Sequence, residues 1–88
     1  MTMEAVEQAL EVLGLPAWIT RREIKARYRY LAREFHPDRR PESAEKMEQI
    51  NAAYRLLMEY IDTFRYRFDA TEFAQHYPEG AHAEKFRI

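Results

Sequence analysis

Two apolar stripes at helical spacing, separated by one short loop with two prolines, constrain the fold of this chain more than any other feature. The first stripe is formed by residues three or four positions apart: Ile24, Tyr28, Leu31 and Phe35. The second stripe has the same spacings: Met47, Ile50, Tyr54, Leu57 and Ile61. Pro37 ends the first stretch because it lacks a backbone N–H and disfavours helical angles at His36. Two matching stripes and a short loop predict an antiparallel helical hairpin.

The first helix of this hairpin, predicted over about residues 21–35, begins at a strong local signal. Thr20 is placed to cap the helix, and Glu23, three positions later, completes a capping box. Ile19 and Ile24 are placed to pack across this start as a hydrophobic staple. The register of the apolar stripe is therefore fixed from its first turn.

Shorter elements flank the hairpin. Apolar residues at helical spacing before Gly14 predict a short N-terminal helix over about residues 3–13. The second helix of the hairpin is predicted over about residues 42–61. We therefore expect residues 1–62 to form an all-α unit, and a chain of this length to form one compact domain.

Residues 63–88 have a different pattern, which starts with alternating aromatic and arginine residues, Phe64-Arg65-Tyr66-Arg67-Phe68. A period of two suits an extended segment. Asp69 and Glu72 then suggest a second capping box, with Phe68 and Phe73 as its staple, before a short helix over about residues 70–76. We expect the last ten residues to be loosely ordered.

The aromatic ladder of residues 64–68 has three possible roles. We expect its aromatic rings to fold back over the helical hairpin while the arginines point to water. Alternatively, the rings stack on nucleic-acid bases, or residues 64–77 form a docking strip for a client or targeting protein. The sequence favours the first role and leaves the other two open.

Charge is unevenly distributed, although the net charge is only −1. Residues 1–20 contain three glutamates and no lysine or arginine, whereas residues 21–40 contain eight lysines and arginines against three acidic residues. Residues 41–88 are acidic again. A basic middle between acidic flanks indicates a localised acidic partner surface rather than general polyanion binding.

Composition excludes several classes of protein. The chain has no cysteine, so disulfides and cysteine-ligated zinc are ruled out. The N-terminus lacks the basic and apolar regions of a signal peptide, and no apolar run is long enough to span a membrane. We therefore expect a soluble cytoplasmic protein. Its aromatic content of 14% is enough for a packed core, so we do not expect disorder.

Four segments, taken in order, resemble the J-domain family of DnaJ and 40-kDa heat-shock proteins. They are Leu10-Glu11-Val12-Leu13-Gly14-Leu15, the basic stretch Glu23 to Ala32, the loop Phe35-His36-Pro37-Asp38-Arg39, and Ile50-Asn51-Ala52-Ala53-Tyr54-Arg55-Leu56-Leu57. The resemblance covers roughly residues 5–60. The tripeptide His36-Pro37-Asp38 alone would occur by chance in about 1% of chains of this size, but here both flanking helices are in register with it.

The resemblance implies an all-α J-domain fold and a non-catalytic co-chaperone, with no cofactor. Such a domain docks on a 70-kDa heat-shock chaperone of the DnaK class and stimulates its ATP hydrolysis. The partner-binding residues so implied are His36, Pro37, Asp38, Arg39, Arg22, Lys25, Tyr28, Arg29 and Arg33. Of these, Arg22, Lys25, Arg29 and Arg33 fall on one helical face, which suits electrostatic steering.

The chain departs from the family pattern in two places. Tyr30 and Glu34 stand where relatives often carry basic residues, which narrows the charged face. No glycine/phenylalanine-rich linker, zinc-binding region or client-binding domain is recognisable, so the chain resembles the J-domain-only class. Substrate specificity is then expected to come from elsewhere.

Other functions are weaker interpretations of the same residues. No serine, cysteine or acidic residue is spaced to form a catalytic set with His36, so we do not expect an enzyme. His76 and His82 lack the spacing of a metal site. A nucleic-acid-binding helical module is disfavoured by the isoelectric point of about 6.3. A J-like interaction protein without chaperone coupling is disfavoured by the intact tripeptide.

Overall fold

The computed structural model describes residues 1–77, which are helical apart from their connecting segments and contain no strand. The expectation of a loosely ordered C-terminus concerns residues outside this range. The helices are α1 (Met3–Leu13), α2 (Arg21–Glu34), α3 (Ala44–Asp62) and α4 (Ala70–His76), with a 3-10 turn at Pro41–Ser43. The all-α fold is confirmed.

Helices α2 and α3 form the predicted antiparallel hairpin. Arg21 at the start of α2 pairs with Asp62 at the end of α3. Midway along the hairpin the rings of Tyr28 and Tyr54 stack with their centroids 4.1 Å apart. The loop that contains His36 therefore lies at one tip of the hairpin, and the ends of the two helices meet at the other.

The core fills the space between the hairpin and α1, which packs mainly against α3. Each of the first three helices contributes apolar residues that are almost fully buried: Val6, Ala9, Leu13, Ile24, Leu31, Ile50, Ala53 and Leu57. Burial of a leucine or isoleucine side chain contributes about 1.5–3 kcal/mol. These contacts hold the hairpin in the single arrangement that presents its loop.

The start of α2 has the capping box that its sequence predicts. The Thr20 hydroxyl accepts a hydrogen bond from the Glu23 N–H at 3.2 Å, and the Glu23 carboxylate accepts one from the Thr20 N–H at 3.0 Å. Two N–H groups that the helix leaves unpaired are thereby satisfied. Ile19, on the far side of the cap, packs against the core.

Helix α1 ends where Gly14 adopts a left-handed conformation, with φ of 67°. The Gly14 N–H donates to the carbonyl of Glu11 at 3.0 Å, and the Leu15 N–H donates to that of Leu10 at 2.9 Å. This pair of bonds is a Schellman motif, which residues with a side chain adopt at a cost. It turns the chain sharply towards α2.

The aromatic ladder does not fold back over the hairpin as predicted. Phe64 contacts Tyr60 edge to face, but Tyr66 and Phe68 are 67% and 96% exposed. The three-helix core is already covered, and α4 does not pack appreciably on the other helices. The predicted staple between Phe68 and Phe73 is also wrong, because so exposed a Phe68 is not packed across the start of the helix.

The cap of α4 is simpler than predicted. Asp69 accepts a hydrogen bond from the Glu72 N–H at 2.8 Å, which is half of a capping box. The Glu72 carboxylate does not return the bond and lies 3.6 Å from the imidazole of His76. The second oxygen of Asp69 pairs with Arg67 at 2.8 Å. The two carboxylates thus also contact the side chains of Arg67 and His76.

Candidate functional site

The His36-Pro37-Asp38 loop projects from the tip of the hairpin with its side chains in solvent. The backbone N–H of Asp38 donates to the imidazole Nδ1 of His36 at 3.1 Å. The Asp38 carboxylate makes no closer contact with that ring than 3.8 Å and is 95% exposed. The loop thus presents an imidazole held from one side and a free carboxylate.

A tight turn follows the tripeptide. The carbonyl of His36 accepts hydrogen bonds from the N–H groups of Arg39 at 2.9 Å and Arg40 at 2.8 Å. The side chains of both arginines lie 3.9 Å from the carboxylate of Glu34, at the end of α2. Contacts this long between partly exposed groups are weak, so both guanidinium groups remain available to a partner.

Ser43 closes the base of the loop, a role that the sequence analysis did not assign. Its hydroxyl lies 2.6 Å from the carbonyl oxygens of both Phe35 and Arg40, one on each side of the loop. The residue is only 5% exposed. A serine just before a helix suggests a cap, yet this hydroxyl caps nothing and binds backwards to the loop instead.

The ring of Phe35 supports the loop from the α2 side. The guanidinium of Arg40 lies 5.5 Å from its centroid and the ammonium of Lys46 lies 5.9 Å from it. Cations at this distance from an aromatic face are attracted to it. The polar loop therefore lies next to the Phe35 ring, which two cationic side chains contact.

The predicted basic face of α2 is present and is not neutralised. Its residues are exposed or half-buried, and none of them forms an ion pair within residues 1–77: Arg22, Lys25, Arg29 and Arg33. The other cations of α2 have structural partners. Arg21 pairs with Asp62, and Arg27 donates to the carbonyl of Leu13 at 2.9 Å. The helix thus separates free charges from those used in folding.

Tyr28, included among the predicted docking residues, is directed towards α3. Its hydroxyl donates to the side-chain oxygen of Asn51 at 2.6 Å, and its ring stacks on Tyr54. It is half-buried by these contacts. Its position between the two helices indicates that it helps to set their spacing.

Residues 1–77 contain no group of three or more histidine, aspartate or glutamate side chains that could hold a metal ion. His76 lies beside Glu72 in α4, and His82 is outside this range. No helix in the same residues is long and apolar enough to cross a membrane.

Comparison with known proteins gives one consistent family. The model of the DnaJ domain matches residues 8–67, more than half of the chain. Chaperone protein DnaJ 2 of Thermus thermophilus is 44% identical over 57 residues, which cover 62% of this chain and 20% of that protein. Chaperone protein DnaJ of Caldicellulosiruptor saccharolyticus is 48% identical over 50 residues, which cover 53% of this chain and 13% of that protein.

A more distant relative is DnaJ homolog subfamily A member 2 of Homo sapiens, 40% identical over 47 residues. These cover 53% of this chain and 11% of that protein. The chain thus spans a fifth or less of the curated relatives cited. None of the solved structures gave a match.

Proposed function

The chain belongs to the J-domain family, and from this premise we propose that it is a co-chaperone that docks on a 70-kDa heat-shock chaperone of the DnaK class and stimulates ATP hydrolysis there. The similarity of its helical region to the DnaJ proteins supports a role of this type. The particular chaperone is part of the proposal.

The observation that carries the proposal is the arrangement at the hairpin tip. His36 and Asp38 project from a loop that Pro37 stiffens and that Ser43 ties at its base. A loop held in one shape loses less conformational entropy on binding. The side chains can therefore enter a site on the chaperone without prior rearrangement.

The basic face of α2 supplies orientation. Its uncompensated charges, together with Arg39, would attract an acidic surface and align the hairpin with it before contact. The tip would then fall on a defined point of the partner. In this mechanism the J domain performs no catalysis, since it acts by binding one conformational state of the ATPase better than another.

A second partner is proposed for the segment that follows the hairpin. We assign residues 64–77 to contact with a client or targeting protein, because their aromatic side chains are the largest exposed apolar group beyond the hairpin. We place this function in the cytoplasm, where a chaperone of the DnaK class would be available.

The test is steady-state ATP hydrolysis by the cognate chaperone, with and without the J domain. We expect stimulation by the wild type and a rate close to basal with His36→Gln. His76→Gln is the matched control, because it removes an exposed histidine far from the loop and should leave stimulation unchanged. Absence of stimulation by the folded wild type would leave a J-like interaction protein without chaperone coupling.

The role of the basic face has its own test. Binding to the chaperone should weaken as salt is raised from roughly 0.05 to 0.3 M, because added ions screen exposed charges. Arg29→Ala should slow association and flatten this dependence. Arg55→Ala, which removes an exposed arginine from α3, should change neither the rate nor its salt dependence.

A further inference from the structure

An apolar groove lies beyond the hairpin, between the segment after α3 and α4 itself. It has a volume of about 710 Å³. Its walls are largely aromatic and alanine side chains, of which the main ones are Tyr66, Phe68, Ala70, Phe73, Ala74 and Tyr77. The rings of Phe73 and Tyr77 stack 5.0 Å apart and form one wall. A concave surface lined mainly by apolar and aromatic side chains, with a few polar groups, is typical of binding sites.

The backbone beside the groove is also unpaired. The Phe64 N–H donates to Ile61, but the N–H groups of residues 65–68 donate to no backbone carbonyl within residues 1–77. The segment is not helical, and its side chains alternate between aromatic and arginine. An exposed segment with unpaired backbone N–H groups can pair with an extended peptide, as the edge strand of a sheet does.

Charge along this edge narrows the choice of partner. Arg67 is already paired with Asp69, whereas Arg65 has no carboxylate partner within residues 1–77. A strand pairing with this segment would place its own alternate side chains opposite the arginines and opposite the aromatic rings. Acidic residues suit the positions opposite the arginines, and apolar residues suit the positions opposite the aromatic rings.

We infer that the groove lined by residues 65–77 binds an extended segment of a partner polypeptide in which apolar side chains alternate with acidic ones. The inference rests on the part of the proposed function that assigns residues 64–77 to a partner protein, and it names the chemistry of that partner. Backbone hydrogen bonds provide part of the affinity, and the alternating side chains provide the specificity.

Two other occupants fit the groove less well. If two copies of the chain paired along this edge, the arginines of one would lie near those of the other, and like charges facing each other destabilise a strand pair. A nucleic acid would bring its phosphates close to Asp69 and Glu72, which line the same groove. An acidic, apolar strand avoids the first difficulty, and because only its alternate residues are acidic, it can place them at Arg65 rather than at Asp69 and Glu72.

The experiment measures fluorescence polarisation of a labelled peptide that alternates valine and glutamate, titrated with the full chain in the absence of any chaperone. We expect saturable binding that Tyr66→Ser and Phe68→Ser each weaken about tenfold, as the loss of an aromatic anchor does. N-methylation of the peptide's backbone at the positions that face residues 65–68 should abolish binding. A helical peptide of the same composition should bind more weakly.

Charge reversal gives the sharpest readout. Arg65→Glu should weaken binding of the glutamate peptide and strengthen binding of the same peptide with lysine in place of glutamate. Arg67→Glu should have a smaller effect, because Arg67 already has a partner in Asp69. Trp18→Ser is the matched control, since this ring is 94% exposed but lies outside the groove.

Three results would overturn the inference. One is no binding, or binding that the groove substitutions do not change. The second is concentration-dependent dimerisation that the same substitutions abolish, which would make a second copy the occupant. The third is tighter binding of single-stranded nucleic acid with steep salt dependence. Because no chaperone is present, none of these results bears on the stimulation of ATP hydrolysis.

Discussion

The backbone N–H of Asp38 donates a hydrogen bond to the imidazole Nδ1 of His36, 3.1 Å away. In the neutral ring the proton then lies on Nε2, which has no hydrogen bond within residues 1–77 and is able to donate to a partner. We therefore expect the two nitrogens to have separate tasks: Nδ1 shapes the loop, and Nε2 contacts the partner.

Substitutions at His36 should separate these tasks. Asparagine can place its side-chain oxygen near the position of Nδ1, so His36→Asn should keep the Asp38 N–H bonded, whereas His36→Gln should release it. We expect roughly three- to tenfold faster hydrogen exchange of that amide in the glutamine variant, from the loss of one hydrogen bond. Both variants should lose ATPase stimulation. Equal exchange rates in both would contradict the division of tasks.

The contact between Tyr28 and Asn51 should contribute to folding. Tyr28→Phe keeps the ring stacked on Tyr54 but leaves the Asn51 oxygen without its donor, so the free energy of unfolding should fall by about 1–2 kcal/mol. Urea denaturation followed by circular dichroism measures this loss. In a double-mutant cycle, Tyr28→Phe and Asn51→Ala should be less than additive. Strict additivity would show that the hydrogen bond contributes nothing.

Gly14 should resist replacement by residues with a side chain. Its left-handed φ is unfavourable for alanine, and a Cβ atom there would lie 3.2 Å from the guanidinium of Arg27. We expect Gly14→Ala to lower the free energy of unfolding by about 1 kcal/mol or somewhat more. Gly14→Asn should lose less, since asparagine tolerates this conformation. Thermal unfolding of the two variants in parallel provides the comparison.

Stability should depend on pH through Glu23. Hydrogen bonds from the Thr20 side chain, and then from its backbone N–H, hold the pKa of Glu23 below its ordinary value of 4.5. A carboxyl group whose pKa is lowered by folding adds stability above its unfolded pKa and loses it as pH falls through the folded one. Glu23→Gln should therefore destabilise at neutral pH, with the difference vanishing in acid. If the free energies of unfolding of the wild type and the variant differed by the same amount at neutral and acid pH, the ionised carboxylate of Glu23 would not be the source of the stability.

Local signals in the sequence predict the hairpin well. The Thr20–Glu23 capping box and the stripe through Ile24 and Leu31 act within a few residues of each other, so their pattern alone determines the result. The exposed loop tip follows from Pro37 in the same way. These features depend little on the rest of the chain.

Features that depend on how separate helices and loops pack against each other could not be predicted in this way. The aromatic rings of Tyr66 and Phe68 have the hydrophobicity of core residues, but whether they are buried depends on whether the hairpin has uncovered surface left. The same holds for Ser43, whose role depends on how closely the two ends of the loop approach. Only the packed structure shows these distances.

The loop shaped by Ser43 is a self-contained unit. Each backbone and side-chain hydrogen bond that determines its form joins residues between Leu31 and Ser43. A change in the aromatic groove therefore has no direct hydrogen-bonded route to the tip. The two ends of the molecule are free to diverge separately, so the groove can be remodelled for new partners while the tip keeps its form. By the same logic, this short stretch should be transferable to another helical hairpin with its geometry intact.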